Sequence, residues 1–162
     1  MFKEALTLSI KNAKQKQSRV ALLFLDLDNF KIINDTLGHI MGDKILIAAS
    51  SRLKSLLDDK SHIARLGGDE FVIILESLDH EAVIPFVENL VSTIEEPFLL
   101  SGHEINISLS MGIASYPEHG QDCMTLVNRA DVAMYSAKRN KVPYVCYSHK
   151  LKKSNNLNLV HS

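Results

Sequence analysis

Residues 65–71 read Arg65-Leu66-Gly67-Gly68-Asp69-Glu70-Phe71, which places two acidic side chains directly after a pair of glycines. Apolar runs lie on both sides, over residues 63–64 and 71–75. Paired glycines between such runs predict a hairpin, because glycine reaches the positive φ that tight turns require. We expect Asp69 and Glu70 to begin the second strand. On the turn alone, a surface hairpin with a charged tip is equally favoured.

A second acidic pair closes the run Val20-Ala21-Leu22-Leu23-Phe24-Leu25-Asp26-Leu27-Asp28. Its length and apolar composition predict a buried strand, and residues two apart on a strand share a face. Asp26 and Asp28 are therefore expected to point the same way. If this strand lies antiparallel to residues 71–75, Asp26 meets Asp69, and the carbonyl of Leu27 lies nearby.

Carboxylates gathered at the ends of buried strands repel one another and lose hydration unless a cation neutralises them. Hard oxygen ligands of this kind suit Mg²⁺ or Mn²⁺. Magnesium usually keeps several waters and takes further ligands from substrate phosphates. The two acidic pairs thus predict a two-metal site for phosphoryl or nucleotidyl transfer.

The composition indicates one soluble globular domain, with 162 residues, 46% of them hydrophobic and 23% charged. A net charge of −1 gives no electrostatic case for a nucleic-acid partner. No apolar run reaches membrane-spanning length, and the amino terminus lacks a signal-peptide pattern, so we expect no membrane association. Cys123 and Cys146 lack metal-ligand spacing and indicate a reducing compartment, which predicts a cytoplasmic chain.

Hydrophobic periodicity predicts helices over residues 2–13, 30–37, 40–57, 79–96 and 122–138. We expect Pro85 to delay or kink the fourth helix. A second hairpin is predicted over residues 97–114, with its turn at Ser101-Gly102, and a last short strand over 142–147. Apolar residues alternate with polar or small ones over 105–113, which predicts a strand with one face buried and the other towards solvent. The residues from 148 to 162 are rich in Lys, Asn and Ser, which predicts a linker or frayed tail after a domain of residues 1–147. Together these elements predict an α+β fold, with a mostly antiparallel central sheet flanked by helices.

Several spaced blocks carry a family resemblance: Phe24-Leu25-Asp26-Leu27-Asp28-Asn29-Phe30-Lys31, then Asn34-Asp35, Gly38-His39 and Gly42-Asp43, then the stretch at 65–71, and later blocks at 110–114 and 130–138. In this order they resemble the GGDEF domain family of diguanylate cyclases. The resemblance implies a palm-like fold related to that of nucleotidyl cyclases. It also implies a homodimer in which each subunit binds one GTP, and the two nucleotides condense into cyclic di-GMP and two pyrophosphates.

The resemblance assigns a role to each site residue by its position in these blocks. Metal ligands fall on Asp26, the carbonyl of Leu27 and Asp69; catalytic residues on Asp69 and Glu70; guanine contacts on Asn34, Asp43 and His39; phosphate contacts on Lys31, Lys138, Gly67 and Gly68. Ordinary structural roles stay open for some of them. Asp43 also suits the dipole of a helix first turn, His39 a helix cap, and the two lysines a solvated surface.

Three departures from the family pattern bear on function. Lys141-Val142-Pro143 stands where the family has a Gly-Arg-Asn-like segment, so a phosphate-contacting arginine is replaced, with Lys141 or Arg139 as candidates, and weaker turnover is expected. Asp58-Asp59-Lys60-Ser61 lacks the Arg-x-x-Asp of the product-inhibition site, so feedback through that site is not expected. The family's upstream block is absent, which suggests a piece of a longer protein.

Two classes of function remain open besides a purely structural dimerisation domain. The first is a diguanylate cyclase. The second is a catalytically weak or inactive GTP-binding domain that controls an attached phosphodiesterase. Residues 147–152 are similar to the joint that leads into an EAL phosphodiesterase domain, so attached sensor or EAL domains are expected partners.

Overall fold

A computed structural model describes residues 2–76 and 79–148. Within them the helices are α1 Phe2–Lys16, α2 Phe30–Leu37, α3 His39–Ser55, α4 His80–Glu95 and α5 Cys123–Asn140. The strands are β1 Val20–Leu27, β2 His62–Gly67, β3 Glu70–Glu76, β4 Phe98–Leu100, β5 His103–Ile105, β6 Leu109–Tyr116 and β7 Tyr144–Cys146. The predicted tail lies outside the described residues, except for Ser148.

The main sheet has the strand order β2-β3-β1-β6-β7, with β1 at its centre. Strand β1 runs antiparallel to both β3 and β6, and only β7 pairs in parallel, with β6. All eight residues of β1 are buried, because it has a paired neighbour on each side and helices cover both faces. The predicted α+β fold with a mostly antiparallel sheet is confirmed.

Alternation along β1 divides the core into two layers. Leu23, Leu25 and Leu27 join the residues of α3 and α4 in one cluster. Leu22 and Phe24 join those of α1 and α5 on the other face. Asp26 is the next residue on this second face, so its carboxylate lies on the α5 side of the sheet.

The hairpin formed by β2 and β3 differs by one residue from the prediction. Gly67 ends β2 and pairs with Glu70, so the turn consists of Gly68 and Asp69, and β3 begins at Glu70 rather than at Asp69. The pairing shifts between Arg65 and Gly67, which moves the turn along the chain. The glycines do adopt the expected positive φ, 148° at Gly67 and 51° at Gly68.

Two other elements differ in part from the prediction. The fourth helix begins at His80 with Pro85 inside it, so of the two predicted effects of the proline a delayed start does not occur. The second hairpin keeps its turn at Ser101-Gly102, but β5 ends at Ile105, and β6 pairs with β1 in the main sheet. The small residues of β6, which had suggested a solvent-facing side, are buried against α5.

No helix in the described ranges is long and apolar enough to cross a membrane.

Gly112 lies where β6 meets α5. A methyl group at this position would overlap the carbonyl oxygen of Ala130 and the backbone nitrogen of Met134, neither of which can rotate away. We expect Gly112→Ala to lower the free energy of unfolding by about 3 kcal/mol, because backbone atoms of two packed elements must separate. Urea titration measures the change. Asn128→Ala, on the exposed side of α5, is the control, and equal stability of the two variants would contradict the close packing described here.

Candidate active site

The carboxylate of Asp26 is the most buried charge at the end of the central strand. The residue is 6% exposed, and its Oδ2 forms an ion pair with the ammonium of Lys138 on α5. Its Oδ1 is buried and has no hydrogen-bond partner among the described residues. A buried carboxylate oxygen without a donor is costly, so this atom is available to a ligand that supplies positive charge.

Asp69 lies beside Asp26 because of the strand register. Asp26 pairs with Glu70 across β1 and β3, and the N–H of Leu27 donates to the carbonyl of Asp69 at 3.1 Å. Burial raises the pKa of Asp26 to about 7, and the neighbouring Asp69 side chain acts in the same direction, although Lys138 acts in the opposite direction. The structure therefore brings the two sequence-predicted carboxylates together.

Glu70 has an acidic neighbour that sequence reasoning missed. Burial raises the pKa of Glu70, and the charges of Asp131 on α5 and of Asp69 raise it further. Burial also raises the pKa of Asp131, while Lys138 lowers it. The signal in the sequence was the spacing of seven residues between Asp131 and Lys138, which places both on one face of α5.

Lys138 is the cation of this acidic group. Burial lowers its pKa, but the hydrogen bond and charge of Asp26, followed by the charges of Asp69 and Asp28, outweigh burial and raise the pKa overall. Its side chain is 39% exposed, compared with 8% for that of Asp26. One end of this ion pair is therefore buried, and the other is in contact with solvent.

A cleft of about 550 Å³ adjoins the ion pair, and Lys138 and Lys141 line it together with Asp28. The carboxylate of Asp28 accepts hydrogen bonds from Ser108 Oγ at 2.8 Å and Ser110 Oγ at 2.7 Å. Both serines line the cleft and were missed in the sequence, because polar residues at alternate positions of a predicted strand were assigned to solvent.

The amino terminus of α2 opens at the same cleft. Asn29, which precedes α2, lines the cleft with a left-handed φ of 61°, and its side chain does not cap the helix. The first N–H groups of a helix lack partners within the helix and carry partial positive charge. The cleft therefore combines a helix terminus and Lys138 and Lys141, which suit an anionic group, with Asp28 and Glu95, which suit a cation.

A second group of sequence-predicted residues lies where α2 meets α3. The Asn34 side chain is packed against Gly42, so closely that a methyl group on Gly42 would overlap Asn34 Oδ1. Asp43 follows Gly42 on α3 and is exposed, as is His39 at the start of that helix. Asn34 on α2 and Asp43 on α3 thus supply an amide and a carboxylate near the junction of the two helices.

The remaining predicted residues make few contacts with the rest of the site. Lys31 on α2 and His39 are exposed, and neither side chain has a hydrogen bond or ion pair to another described residue. Gly67 and Gly68 are exposed, with open space where a side chain would be. Arg65 Nε donates to the carbonyl of Gly68 at 2.9 Å and so braces the turn.

The donor set fits a hard divalent cation. Among the described residues no group of three or more His, Cys, Asp or Glu side chains is arranged as a metal site. Magnesium, however, needs only one or two carboxylates, since water and phosphate complete its octahedron. Asp26, with its unpartnered oxygen, Asp69 and the carbonyl of Leu27 at the end of β1 meet that requirement.

Comparison with known proteins identifies the family. Residues 1–142 match the family model described as "Diguanylate cyclase, GGDEF domain". The chain belongs to the GGDEF family, which confirms the resemblance seen in the sequence.

Three Pseudomonas aeruginosa proteins illustrate the range of relatives. The chain is 42% identical to the bifunctional diguanylate cyclase/cyclic di-GMP phosphodiesterase MucR over 138 residues, which are 85% of this chain and 20% of MucR. It is 37% identical to the cyclic di-GMP phosphodiesterase NbdA, over 85% of this chain and 18% of NbdA. The crystal structure of the GGDEF domain of TpbB, also called YfiN, superposes with a TM-score of 0.88 at 36% identity, covering 91% of this chain and 93% of that domain. The chain spans only about a fifth of the full length of MucR and NbdA.

Asp26 makes stability depend on pH. The unfolded chain ionises this carboxyl near the ordinary pKa of 3.8, whereas the folded chain does so at about 7. The folded state therefore binds the extra proton between these values, and its contribution to the free energy of unfolding decreases as the pH rises from about 4 to 7. We expect Asp26→Asn to flatten this part of the profile, measured by urea unfolding without divalent cations. Asp59→Asn, at an exposed position, is the control. An unchanged slope in Asp26→Asn would contradict the burial of this charge.

Proposed function

We propose that this chain is the catalytic domain of a diguanylate cyclase, which condenses two GTP into cyclic di-GMP and two pyrophosphates. One observation carries the proposal: the carboxylates of Asp26 and Asp69 lie together beside a cleft that Lys138 and Lys141 line. One oxygen of Asp26 is buried and has no hydrogen-bond partner among the described residues. Nucleotidyl transfer requires carboxylates that bind a metal cation and, next to them, cationic side chains that bind the phosphates. Because GTP is the substrate, we place the reaction in the cytoplasm.

In this proposal Asp26, the carbonyl of Leu27 and Asp69 hold Mg²⁺ or Mn²⁺. When bound, the metal acidifies the 3′-hydroxyl and neutralises charge on the phosphates. Glu70 stands next to Asp69, and burial raises its pKa, which suits a group that holds or accepts a proton during the reaction.

The cleft is the proposed triphosphate site. Lys138 and Lys141 supply charge from α5 and its C-cap, Lys31 supplies it from α2, and the first turn of α2 offers backbone N–H groups. The open backbone at Gly67 and Gly68 lets phosphate approach without meeting a side chain. The family's phosphate-contacting arginine is missing, with Lys141 or Arg139 as candidates to substitute for it. The point charge of a lysine lacks the two parallel hydrogen bonds of a guanidinium. We therefore expect slow turnover.

Asn34 and Asp43 are the proposed guanine contacts, with His39 as a further contact at the start of α3. A carboxylate accepts hydrogen bonds from the guanine N1–H and 2-amino group, which adenine lacks, and an amide serves the remaining edge. The contact between Asn34 and Gly42 supports this assignment, because it places the amide against the residue that precedes Asp43 on α3.

Catalysis requires two chains in the proposal. One chain with one GTP holds half of the reacting atoms, so two sites must face each other to align each 3′-hydroxyl with the other nucleotide's α-phosphate. The short coverage of MucR supports a longer protein in which sensor or EAL domains control this encounter.

The deciding experiment incubates the purified chain with GTP and Mg²⁺ at several protein concentrations and separates the nucleotide products by chromatography. We expect cyclic di-GMP, with specific activity rising with protein concentration. Asp69→Asn removes a ligand charge at constant volume, so turnover should fall at least ~100-fold while the fold is kept. Asp59→Asn, an exposed acid outside the site, is the matched control. Wild-type turnover by Asp69→Asn would overturn the assignment of Asp69.

The alternative is a GTP-binding domain that regulates an attached phosphodiesterase without turnover. The match to the phosphodiesterase NbdA and the substitution at residues 141–143 favour it. GTP binding by calorimetry without product, in this chain and in a longer form that restores the upstream block, would establish the alternative. Absence of GTP binding in both would leave only a structural domain.

Gly42→Ala provides a test of the guanine contacts. The added methyl displaces the flexible end of Asn34 rather than backbone, so we expect the melting temperature to change little. GTP binding should weaken about tenfold through loss of one buried hydrogen bond, and the preference for GTP over ATP should narrow. Gly120→Ala is matched, since its methyl also meets a side chain, that of Thr125. An unchanged GTP affinity in Gly42→Ala would remove Asn34 from the guanine site.

A further inference from the structure

The ion pair between Lys138 and Asp26 occupies the position that the proposed function gives to a metal ion. Asp26 Oδ2 is bound to the Lys138 ammonium, and Oδ1 of the same carboxylate is buried without a partner. Among the described residues, Lys138 is the cation paired with this carboxylate, and the charges of Asp69 and Asp28 also act on it.

We propose that Lys138 is a built-in substitute for the divalent cation, and that metal binding displaces its ammonium from Asp26 into the adjoining cleft, where it binds polyphosphate. The inference deepens the proposed function and rests on its metal site. It makes Lys138 a positioning residue that couples two binding events, in addition to any contact with substrate.

The charge balance of the site explains why the metal-free chain needs a cation of its own. A carboxylate that is 92% buried loses its hydration, and the nearby Asp69 adds repulsion, so an unneutralised site would be costly. The Lys138 ammonium relieves this cost in the metal-free chain. A divalent ion brings twice the charge to the same oxygens, and the two cations repel each other at hydrogen-bond range.

The shape of the site gives the displaced ammonium a destination. Lys138 lies two residues before the end of α5, its side chain is 39% exposed, and it already lines the cleft. Its flexible four-carbon stem carries a compact charge that can rotate without moving the helix. In the cleft it joins Lys141, so that metal binding completes a cationic pair for phosphate. By linkage, phosphate that holds Lys138 in the cleft must in turn favour the metal.

A static salt bridge is the competing explanation. In that case Lys138 stays on Asp26, any metal adds to the other oxygen, and removal of Lys138 acts only through its distant charge. The two explanations predict different effects on metal affinity when Lys138 or Lys141 is removed. Both lysines line the cleft, but of the two Lys138 is the one paired with Asp26.

The first test measures Mn²⁺ binding in the absence of nucleotide, by electron paramagnetic resonance of the free ion at pH 8. Lys138→Met and Lys141→Met remove the same charge from the same cleft. If Lys138 competes for the site, Lys138→Met should bind Mn²⁺ about tenfold more tightly than the wild type. Lys141→Met should change the affinity about twofold, as expected for a screened charge. Asp26→Asn should abolish Mn²⁺ binding, both alone and combined with Lys138→Met.

The second test uses the wild-type chain and does not depend on how the variants fold. Brief labelling with acetic anhydride, followed by mass spectrometry, reports the availability of each lysine amine. Lys138 should be acetylated slowly in metal-free buffer and several times faster with Mg²⁺, while exposed Lys16, at the end of α1 and outside the site, serves as the internal control.

Three results would each overturn the proposal. The two methionine variants could change the Mn²⁺ affinity equally, Lys138→Met could fail to bind Mn²⁺, or the acetylation rate of Lys138 could be the same with and without Mg²⁺. None of these readouts requires turnover. A chain that shows the displacement but makes no cyclic di-GMP would therefore refute the cyclase and retain the metal-coupled lysine.

Discussion

The charge of Asp26 is the constraint around which this domain is arranged. The central strand is buried on both faces, and a carboxylate at its end must be neutralised where water has little access. The sheet brings a second carboxylate, that of Asp69, to the same place, which increases the requirement. Helix α5 meets it by aligning Lys138 with Asp26. Two turns earlier the same helix places Asp131 beside Glu70, which adds negative charge at the edge of the site.

The position of α5 depends in turn on the small residues of β6. Gly112 lets the backbone of the helix approach the sheet until the carbonyl of Ala130 occupies the space that a methyl group would need. Without that close approach, Lys138 would be held farther from the sheet and from Asp26. The glycine therefore helps to form the site although it contacts no proposed ligand. The same packing explains why all of β6 is buried.

The two halves of the proposed nucleotide site come from different parts of the chain. The acidic and cationic side chains lie at the ends of β1 and α5, while Asn34 and Asp43 lie where α2 and α3 meet. Helix α2 connects them, because it begins at the cleft and carries Asn34 on its second turn. A ligand that spans both groups needs an anionic end and a polar planar end, and a nucleoside triphosphate has both.

The sequence by itself determined the elements and the family. Periodicity located the helices, the apolar run of β1 and the glycine turn, since these depend on local backbone preference and on burial of one face. It also named the two acidic pairs, whose convergence needed only an antiparallel pairing. The start of β3 was missed because register depends on the partner strand, and β6 was misassigned because small residues suit both solvent and a packed helix.

Only the tertiary structure decided the contacts between distant segments. The pairing of Asp26 with Lys138 joins residues 112 positions apart, and the hydrogen bonds of Ser108 and Ser110 to Asp28 join residues about 80 apart. Such contacts arise from how helices and strands pack, which no local pattern encodes. The sequence supplied the charged groups, and the fold determined which of them neutralise one another.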